Sequence, residues 1–413
     1  MRYLYTFGIL CYGLAIRIAS MFYKKPQQWL NGRRDIFNSI RNKLGDNKNP
    51  IAWFHASSLG EFEQCRPVID LFKKHYPDHK IFVTFFSPSG YEVRKNYLDA
   101  DYVFYLPLDT ISNANRFVDI VNPKVAFFVK YDFWFNYLDA LDKKGVPTIL
   151  FSSIFRPSQY FFKWYGRWFC SKLDTFDYIF VQNKMSERLL KEHGISQCTV
   201  AGDTRFDRVM SIASSVKQFP EVQNFVGNSN ILLAGSTWES DERLLKKFID
   251  TYKSDDIKVI IAPHEIHSWR IDFLIKLFGN ICVKYSEIEK VKDLTDYKVL
   301  IIDNMGMLSS LYQYAYVAYI GGGFGKGIHN ILEALAFGKP VCFGPNYKKF
   351  QEAKDIVERN GGVAIDGENT LNTALTNFFD NKEAYVKASE VCMSYVQENK
   401  GTSDKIINMI AKL

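Results

Sequence analysis

From residue 50 onward, short apolar runs alternate with longer amphipathic stretches. "PIAWFHA", "KIFVTFFS", "YVFYLP", "KVAFFVKY", "TILFSSIF" and "DYIFVQN" are rich in β-branched and aromatic residues, as strands are. Helical stretches such as "CRPVIDLFKKHY" and "ERLLKEHG" lie between several of them. Strands separated by helices predict an α/β fold with a parallel, doubly wound sheet. The rhythm breaks between Val209 and Asn230, where Ser, Gln, Gly, Asn and Pro220 gather. It restarts with "NILLAGST", "KVIIAPH", "VLIIDN", "YVAYIGGG" and "PVCFGP". The expectation is two Rossmann-like domains, residues 26–210 and 211–413, that leave a cleft between them, with the last helix able to pack back on the first domain.

The first 25 residues follow another pattern. Tyr3–Tyr23 carries one charge, Arg17, and is followed by Lys24, Lys25, Arg33 and Arg34. About 20 apolar residues suffice for a membrane-spanning helix, and Arg17 lies near enough the basic end to snorkel. The positive-inside rule would then hold the remainder on the cytoplasmic side. Residues 1–25 are therefore expected to form a membrane anchor helix, with an interfacial or merely buried amphipathic helix as the alternative. A cleavable signal peptide fits poorly, because Arg17 interrupts the apolar region.

Composition changes this picture only in places. At 413 residues the chain exceeds one typical domain, and 47% hydrophobic with 16% aromatic residues gives no sign of disorder. A net charge of +7 suits an anionic substrate or a membrane surface as well as nucleic acid. No nucleic-acid module and no long basic run is recognisable, so nucleic acid is not an expected partner. The 7 cysteines are scattered, without a C-x-x-C pair, and read as free thiols. No metal is expected.

Candidate chemistry gathers where strands should end. In "WFHASSLGEFE", His55, Ser57, Ser58, Gly60 and Glu61 follow an apolar strand, at the carboxyl end where open α/β sheets place ligands. Glu61 there reads either as an active-site group or as a carboxylate complementing a helix dipole. In "YIGGGFGKGIHNILEALAFGKPVCFGP", a strand should end at Gly321 and a helix run from about Asn330 to Gly338, with Pro340 just beyond. The intervening glycine-rich loop lets backbone N–H groups approach an anion. Asn330 and Glu333, three residues apart, face the same side and can bind sugar hydroxyls. The bland alternative is a tight turn followed by an ordinary helix carboxylate. The segment is neither a dinucleotide fingerprint nor a P-loop. Gly235, Ser236 and Thr237 mark another strand tip, and Pro263, His264 and Glu265 a third; with the glycine loop they would line one wall of a cleft. Ser236 has a competing role as cap of a helix beginning near Glu239.

Eight phrases in order carry a resemblance: "HASSLGE", "FSPSGYE", "FVKYDFWFN", "AGDTRFDRV", "AGSTWESDE", "APHE", "DNMGMLSSLYQYAYVAYIGGGF" and "GIHNILEALAFGKPVCFGP". Together they resemble the Kdo (3-deoxy-D-manno-octulosonic acid) transferases of lipopolysaccharide synthesis, from the N-terminal segment to about Glu352. The resemblance implies a two-domain GT-B fold and an inverting glycosyltransferase that moves Kdo from CMP-Kdo to a phosphorylated, acylated glucosamine disaccharide, the lipid A precursor (lipid IVA). It implies work at the cytoplasmic face of the inner membrane, with no cofactor beyond the donor substrate. It maps the base onto Glu61, with Asp132 as a second catalytic carboxylate. It maps donor binding onto Gly321, Gly322, Gly323, Asn330 and Glu333, and Ser236, Thr237, Pro263, His264 and Gly306 are expected to complete that donor wall. Acceptor binding falls on His55, Ser57, Ser58, Gly60, Arg156 and Tyr160. The chain departs from the family in "KYDFWFN": where much of the family reads E-T-E-x-W before a proline, Lys130 replaces the first Glu, Asp132 the second and Phe135 the proline. Two other readings compete: a GT-B transferase or epimerase using a UDP-sugar, and a non-catalytic, basic, membrane-associated binding protein.

Overall fold

The apolar runs of the first half form an all-parallel sheet of β1 (Ile51–Ala56), β2 (Lys80–Phe85), β3 (Tyr102–Tyr105), β4 (Val125–Val129), β5 (Thr148–Ser153), β6 (Tyr178–Val181) and β7 (Cys198–Val200). Their order is β3-β2-β1-β4-β5-β6-β7. β1, β4 and β5 are buried at every position, because helices cover both faces of a parallel sheet; this is why they read as continuous and not alternating apolar runs. Trp53 and Phe128 point into one core with Phe117 and Tyr137. Phe54 and Phe127 point into the other, stacked flat with ring centroids 4.4 Å apart.

The computed structural model describes residues 1–252 and 256–411. Its second sheet contains β8 (Asn230–Thr237), β9 (Ile257–Pro263), β10 (Cys282–Lys284), β11 (Val299–Ile301), β12 (Val317–Ile320), β13 (Val341–Phe343) and β14 (Gly362–Ala364). They are again all parallel, in the order β10-β11-β9-β8-β12-β13-β14. The chain divides into one unit of Met1–Arg208 plus the segment from Lys400 onward, and a second of Val209–Asn399. The helix Thr402–Ile410 accordingly packs Ile406, Ile407 and Ile410 into the core of the first unit. The stretch from Val209 to Asn230 is not bare linker: helices Arg205–Ser214 and Pro220–Val226 occupy much of it.

In each sheet the first strand lies beside a later strand reached only after the chain has wound outward and crossed back. The pairs are β1 with β4 and β8 with β12. Such a switch in winding direction opens a crevice at the carboxyl ends of the two strands.

The N-terminal helix runs from Arg2 to Ala19 and lies along the first unit. Arg2 pairs with Asp139 at 3.0 Å, the Tyr5 hydroxyl donates to Asp109 at 2.6 Å, and Asn136 donates to Thr6 Oγ1 at 3.1 Å. The helix crosses Leu108 at Gly13, where a Cβ would lie 2.8 Å from Leu108 Cδ2. A spanning helix is therefore not what the apolar run forms: none of the described helices is long and apolar enough to cross a membrane.

Candidate active site

The β1 tip turns directly into the helix Leu59–His75. Ser58, in extended conformation, is its N-cap. Ser58 Oγ lies 3.5 Å from the Glu61 N–H and donates its own hydrogen to Glu61 Oε2 at 2.7 Å. The serine therefore holds the Glu61 carboxylate over the first turn, where the dipole favours negative charge. Gly60 is exposed, and a Cβ there would meet nothing within 4 Å, so the space alongside Glu61 is open.

Across the switch point, the residues after β4 supply a second carboxylate. Asp132 is buried and accepts from Ser57 twice, from the backbone N–H at 2.9 Å and from the hydroxyl. Burial is the largest influence on it and the charge of Glu61 the next; together they push its pKa well above the usual carboxylate range, against the Ser57 bonds and the nearby Lys130. Asp132 is thus driven toward its neutral form. Lys130, which replaces the expected acid, sits in left-handed conformation at φ 57°. Its charge opposes the rise at Asp132 without cancelling it.

His55 does not face a ligand. It is fully buried, its Nε2 accepts from Trp134 Nε1 at 2.8 Å, and its Nδ1 lies 2.8 Å from Thr84 Oγ1. The first bond requires an unprotonated Nε2, so the ring is the neutral Nδ1–H tautomer, and burial lowers its pKa to about 3. The expectation of an acceptor contact fails because the strand alternation turns this ring into the core. Arg156 and Tyr160 are exposed. Arg156 donates to the hydroxyl of Tyr131, the residue before Asp132, at 3.3 Å, and Tyr160 stacks on Phe161. Trp164 and Tyr165, 88% and 55% exposed, continue the aromatic surface between Lys163 and Arg167.

In the second unit the glycines have a different task from the expected one. Gly321, Gly322 and Gly323 are buried. The N–H of Gly321 donates to Gly235 O at 2.9 Å and that of Gly322 to the Asp241 carboxylate at 3.0 Å, so neither is available to an anion. A Cβ on Gly321 would lie 2.6 Å from Thr237 Cα, and one on Gly323 2.6 Å from Gly344 Cα; the side chains are absent so that backbones can touch. The N–H groups of Gly323 and Phe324, by contrast, meet no acceptor among the described residues. The helix that follows is a single turn, Leu332–Leu335, shorter than the sequence signals suggest. Asn330 lies two residues ahead of it, accepting from Leu332 N–H at 3.1 Å and donating to Glu333 Oε1 at 3.2 Å.

Of the other tip residues, Ser236 lies at a register shift in left-handed conformation, φ 53°. It does not cap the next helix; Asp241 does, accepting from Trp238 N–H at 2.9 Å. Thr237 is buried and donates to Glu242 at 2.7 Å, an acid that in turn pairs with Arg270, so its hydroxyl is spent internally. Pro263 is buried in register with Thr237. Gly306 is an exposed turn glycine at φ 88° after β11. His264 is part of a tier that sequence reasoning missed: its ring lies tilted against Trp238 at 4.8 Å and stacks on His329 at 4.3 Å, and Trp238 Nε1 donates to His329 Nε2 at 3.2 Å. Burial and the neighbouring His264 lower the His329 pKa to about 4. The adjacency of Trp238 to "GST" and of His329 to the glycine loop was the available signal.

Among the described residues no group of three or more His, Cys, Asp or Glu could hold a metal ion. The D-x-D spacing Asp99–Asp101 precedes β3, at the amino end of the sheet, and is engaged with Lys73, Lys80 and the Ile81 N–H.

Residues 32–208 match the family model of the 3-deoxy-D-manno-octulosonic-acid transferases (Kdo transferases). The 3-deoxy-D-manno-octulosonic acid transferase of Chlamydia muridarum is 26% identical over 381 residues, covering 86% of this chain and 84% of the relative. That of Rickettsia felis is 25% identical over 375 residues, covering 88% and 79%. Among solved structures, UDP-GlcNAc 2-epimerase from Neisseria meningitidis bound to UDP-GlcNAc superposes with a TM-score of 0.66 at 17% identity, over 88% of this chain and 100% of the other. That likeness is one of fold, GT-B-like with two parallel sheets. The matched profile spans the Ser57–Glu61 turn and Asp132, the relatives extend the similarity through the second sheet, and the two findings together support a Kdo transferase.

Proposed function

We propose that this Kdo transferase takes Kdo from CMP-Kdo and transfers it, with inversion, to a phosphorylated, acylated glucosamine disaccharide of the lipid A precursor type. The observation that carries the reading is the β1 tip: Ser58 orients Glu61 beside open space, next to Asp132 tied to Ser57, inside the region that matches the family. Glu61 is the general base. It takes the acceptor hydroxyl proton as that oxygen attacks the anomeric carbon of Kdo; the bond from that carbon to the CMP phosphate oxygen breaks, and the electron pair leaves on CMP. Asp132 is a positioning residue, because its oxygens are already engaged by Ser57 and fix the turn that bears Glu61.

CMP belongs to the second unit. Asn330 and Glu333 are suited to ribose hydroxyls, the unpaired N–H groups of Gly323 and Phe324 to the phosphate, and the Trp238–His264–His329 tier to the flat base. CMP is a good leaving group, so oriented N–H dipoles serve in place of a strong acid or a metal. The donor is recognised without a cofactor.

The enzyme works at the cytoplasmic face of the inner membrane, with the N-terminal helix lying on the bilayer and not through it. Support comes from the helix itself: Tyr5, Thr6 and Gly13 meet the first unit, while Tyr3, Leu4, Phe7, Leu14 and Ile18 are all more than half exposed on the other side. A chain starting near Gln27 should remain in the soluble fraction without detergent, whereas the full chain should pellet with vesicles; equal partitioning removes this part of the reading.

The decisive experiment incubates the protein with CMP-Kdo and a tetra-acylated lipid A precursor and follows products by mass spectrometry. One or more Kdo mass increments are expected, and none with UDP-sugars. Absence of any Kdo adduct from a folded, CMP-binding protein overturns the reading.

A further inference from the structure

Between the N-terminal helix and helices Lys24–Asn31 and Ile36–Leu44 lies a cavity of about 740 Å³ that the transfer chemistry leaves unused. Four arginines line it, Arg17, Arg33, Arg34 and Arg116, against one carboxylate, Asp35. Arg33 is spent on the fold: its guanidinium donates to the carbonyls of Leu106, Trp29 and Phe86 and lies 3.7 Å from the centre of the Trp29 ring. Arg17, Arg34 and Arg116 make no ion pair among the described residues; Arg116 only covers the ring of Phe37 at 4.2 Å. Asp35 is already engaged by Asn38 at 2.6 Å. Three unpaired guanidinium groups around one concave space repel one another unless an anion joins them, and guanidinium recognises phosphate oxygens by paired N–H donors.

Apart from Asn31 and Asn113 the rest of the lining is apolar, and this selects the kind of anion. Leu10 and Leu14 line the cavity and also belong to the exposed face of the N-terminal helix, 52% and 58% exposed. Below them on that helix and its following turn come Ile18, Met21 and Phe22, exposed as well. A free phosphate would gain nothing from these side chains. A phosphate carrying acyl chains would place its head among the arginines and its chains along Leu10 and Leu14 into the bilayer.

We infer that this cavity is a headgroup site for an anionic glycerophospholipid of the supporting membrane, separate from the acceptor site, which fixes how the first unit sits on the bilayer. The inference rests on the reading that the N-terminal helix lies along a membrane.

The test uses the full chain and dihexanoyl-phosphatidylglycerol below its micellar concentration, with binding followed by calorimetry. Saturable one-site binding is expected, weakened about 30-fold by Arg34→Ala with Arg116→Ala, the worth of two basic residues at an anionic lipid surface. Both side chains are exposed, so the variant should fold as the parent does. Flotation with phosphatidylcholine–phosphatidylglycerol vesicles separates the two readings. Phe7→Ser with Ile18→Ser, outside the cavity lining, should lose flotation and keep the short-chain site. If the parent fails to float yet binds the short-chain lipid, the site stands and the membrane reading falls. If it floats but shows no saturable binding, or if the double arginine variant binds as tightly as the parent, the site falls alone. Displacement by millimolar inorganic phosphate, or one-for-one by the acylated acceptor precursor, also overturns it, in favour of a phosphate site or an acceptor subsite.

Discussion

At the β1 tip, Ser57 and Ser58 each hand a hydroxyl to a carboxylate; at the β12 tip, Gly321 and Gly322 hand their N–H groups to Gly235 and Asp241 inside the unit. Both tips lie at a switch point in their sheet and both are made of small residues. In the first unit smallness leaves room for polar atoms to reach outward, whereas in the second it lets backbone reach backbone, and the groups free to meet a ligand are displaced to Gly323, Phe324, Asn330 and the Trp238 tier. Small residues at a strand tip therefore mark close approach without saying whether it serves polar side chains or the backbone itself.

The comparison breaks first at Glu61. Glu61→Gln keeps the Ser58 contact in shape and removes the base, so transfer should fall by roughly 100-fold or more while CMP affinity stays nearly constant. A single-turnover assay with CMP calorimetry measures both. Transfer near the parent rate would leave Glu61 as a helix-end carboxylate and return the β1 tip to a purely structural role.

Gly321→Ala tests the opposite tip. Its Cβ would meet the Ser236 carbonyl and Thr237 Cα, backbone that no rotamer change can move. Destabilisation of about 3 kcal/mol is expected, the upper end of overpacking, read as a lowered denaturation midpoint. If stability holds and only CMP binding drops, these glycines make room for ligand after all. Glu333→Ala should weaken CMP by on the order of 1–3 kcal/mol through buried hydroxyls left unpaired, with stability little changed. Unchanged calorimetric affinity would remove Glu333 from the donor site.

Much of this was legible in the sequence, for physical reasons that also explain the rest. Strands buried on both faces announce themselves as apolar runs, and every interior strand was read that way. β7, β10 and β14 were not: each has three residues and lies at a sheet edge, where little apolar surface is needed. The place of Glu61 in the first turn of a helix was legible because Ser-x-x-Glu after a buried strand has few local meanings. His55 misled because a histidine next to polar residues looks functional, and only the register of β1, which sets it beside Thr84, shows it to be core. The roles of Gly321 and Gly322 were hidden because their partners, Gly235 and Asp241, are distant in sequence. The N-terminal run was read as long enough to span, but the anchoring polar groups Asp109, Asn136 and Asp139 come from over a hundred residues away.

The smallest effect concerns what lies beneath the β1 tip. His55 has a folded pKa near 3, against about 6.5 when exposed in the unfolded chain, so below pH 6.5 the unfolded state binds a proton that the folded state does not. Its contribution is fully present above pH 6.5 and is lost as pH falls toward 3, by at most about 1.4 kcal/mol per pH unit. Asp109, raised to about 7 by burial, acts in the opposite sense: its penalty grows as pH rises from about 4 to 7, so the parent's total slope mixes both. His55→Gln isolates the histidine, since the amide N–H can donate to Thr84 Oγ1 and its oxygen accept from Trp134, as the ring does. Denaturant unfolding at pH 7 and pH 5 should show the variant losing less stability than the parent over that interval, by up to about 2 kcal/mol. Equal losses would mean that the ring already takes up a proton in the folded state. The β1 tip would then rest on a charged histidine beside Asp132, and the proton assigned to that carboxyl would have to be placed again.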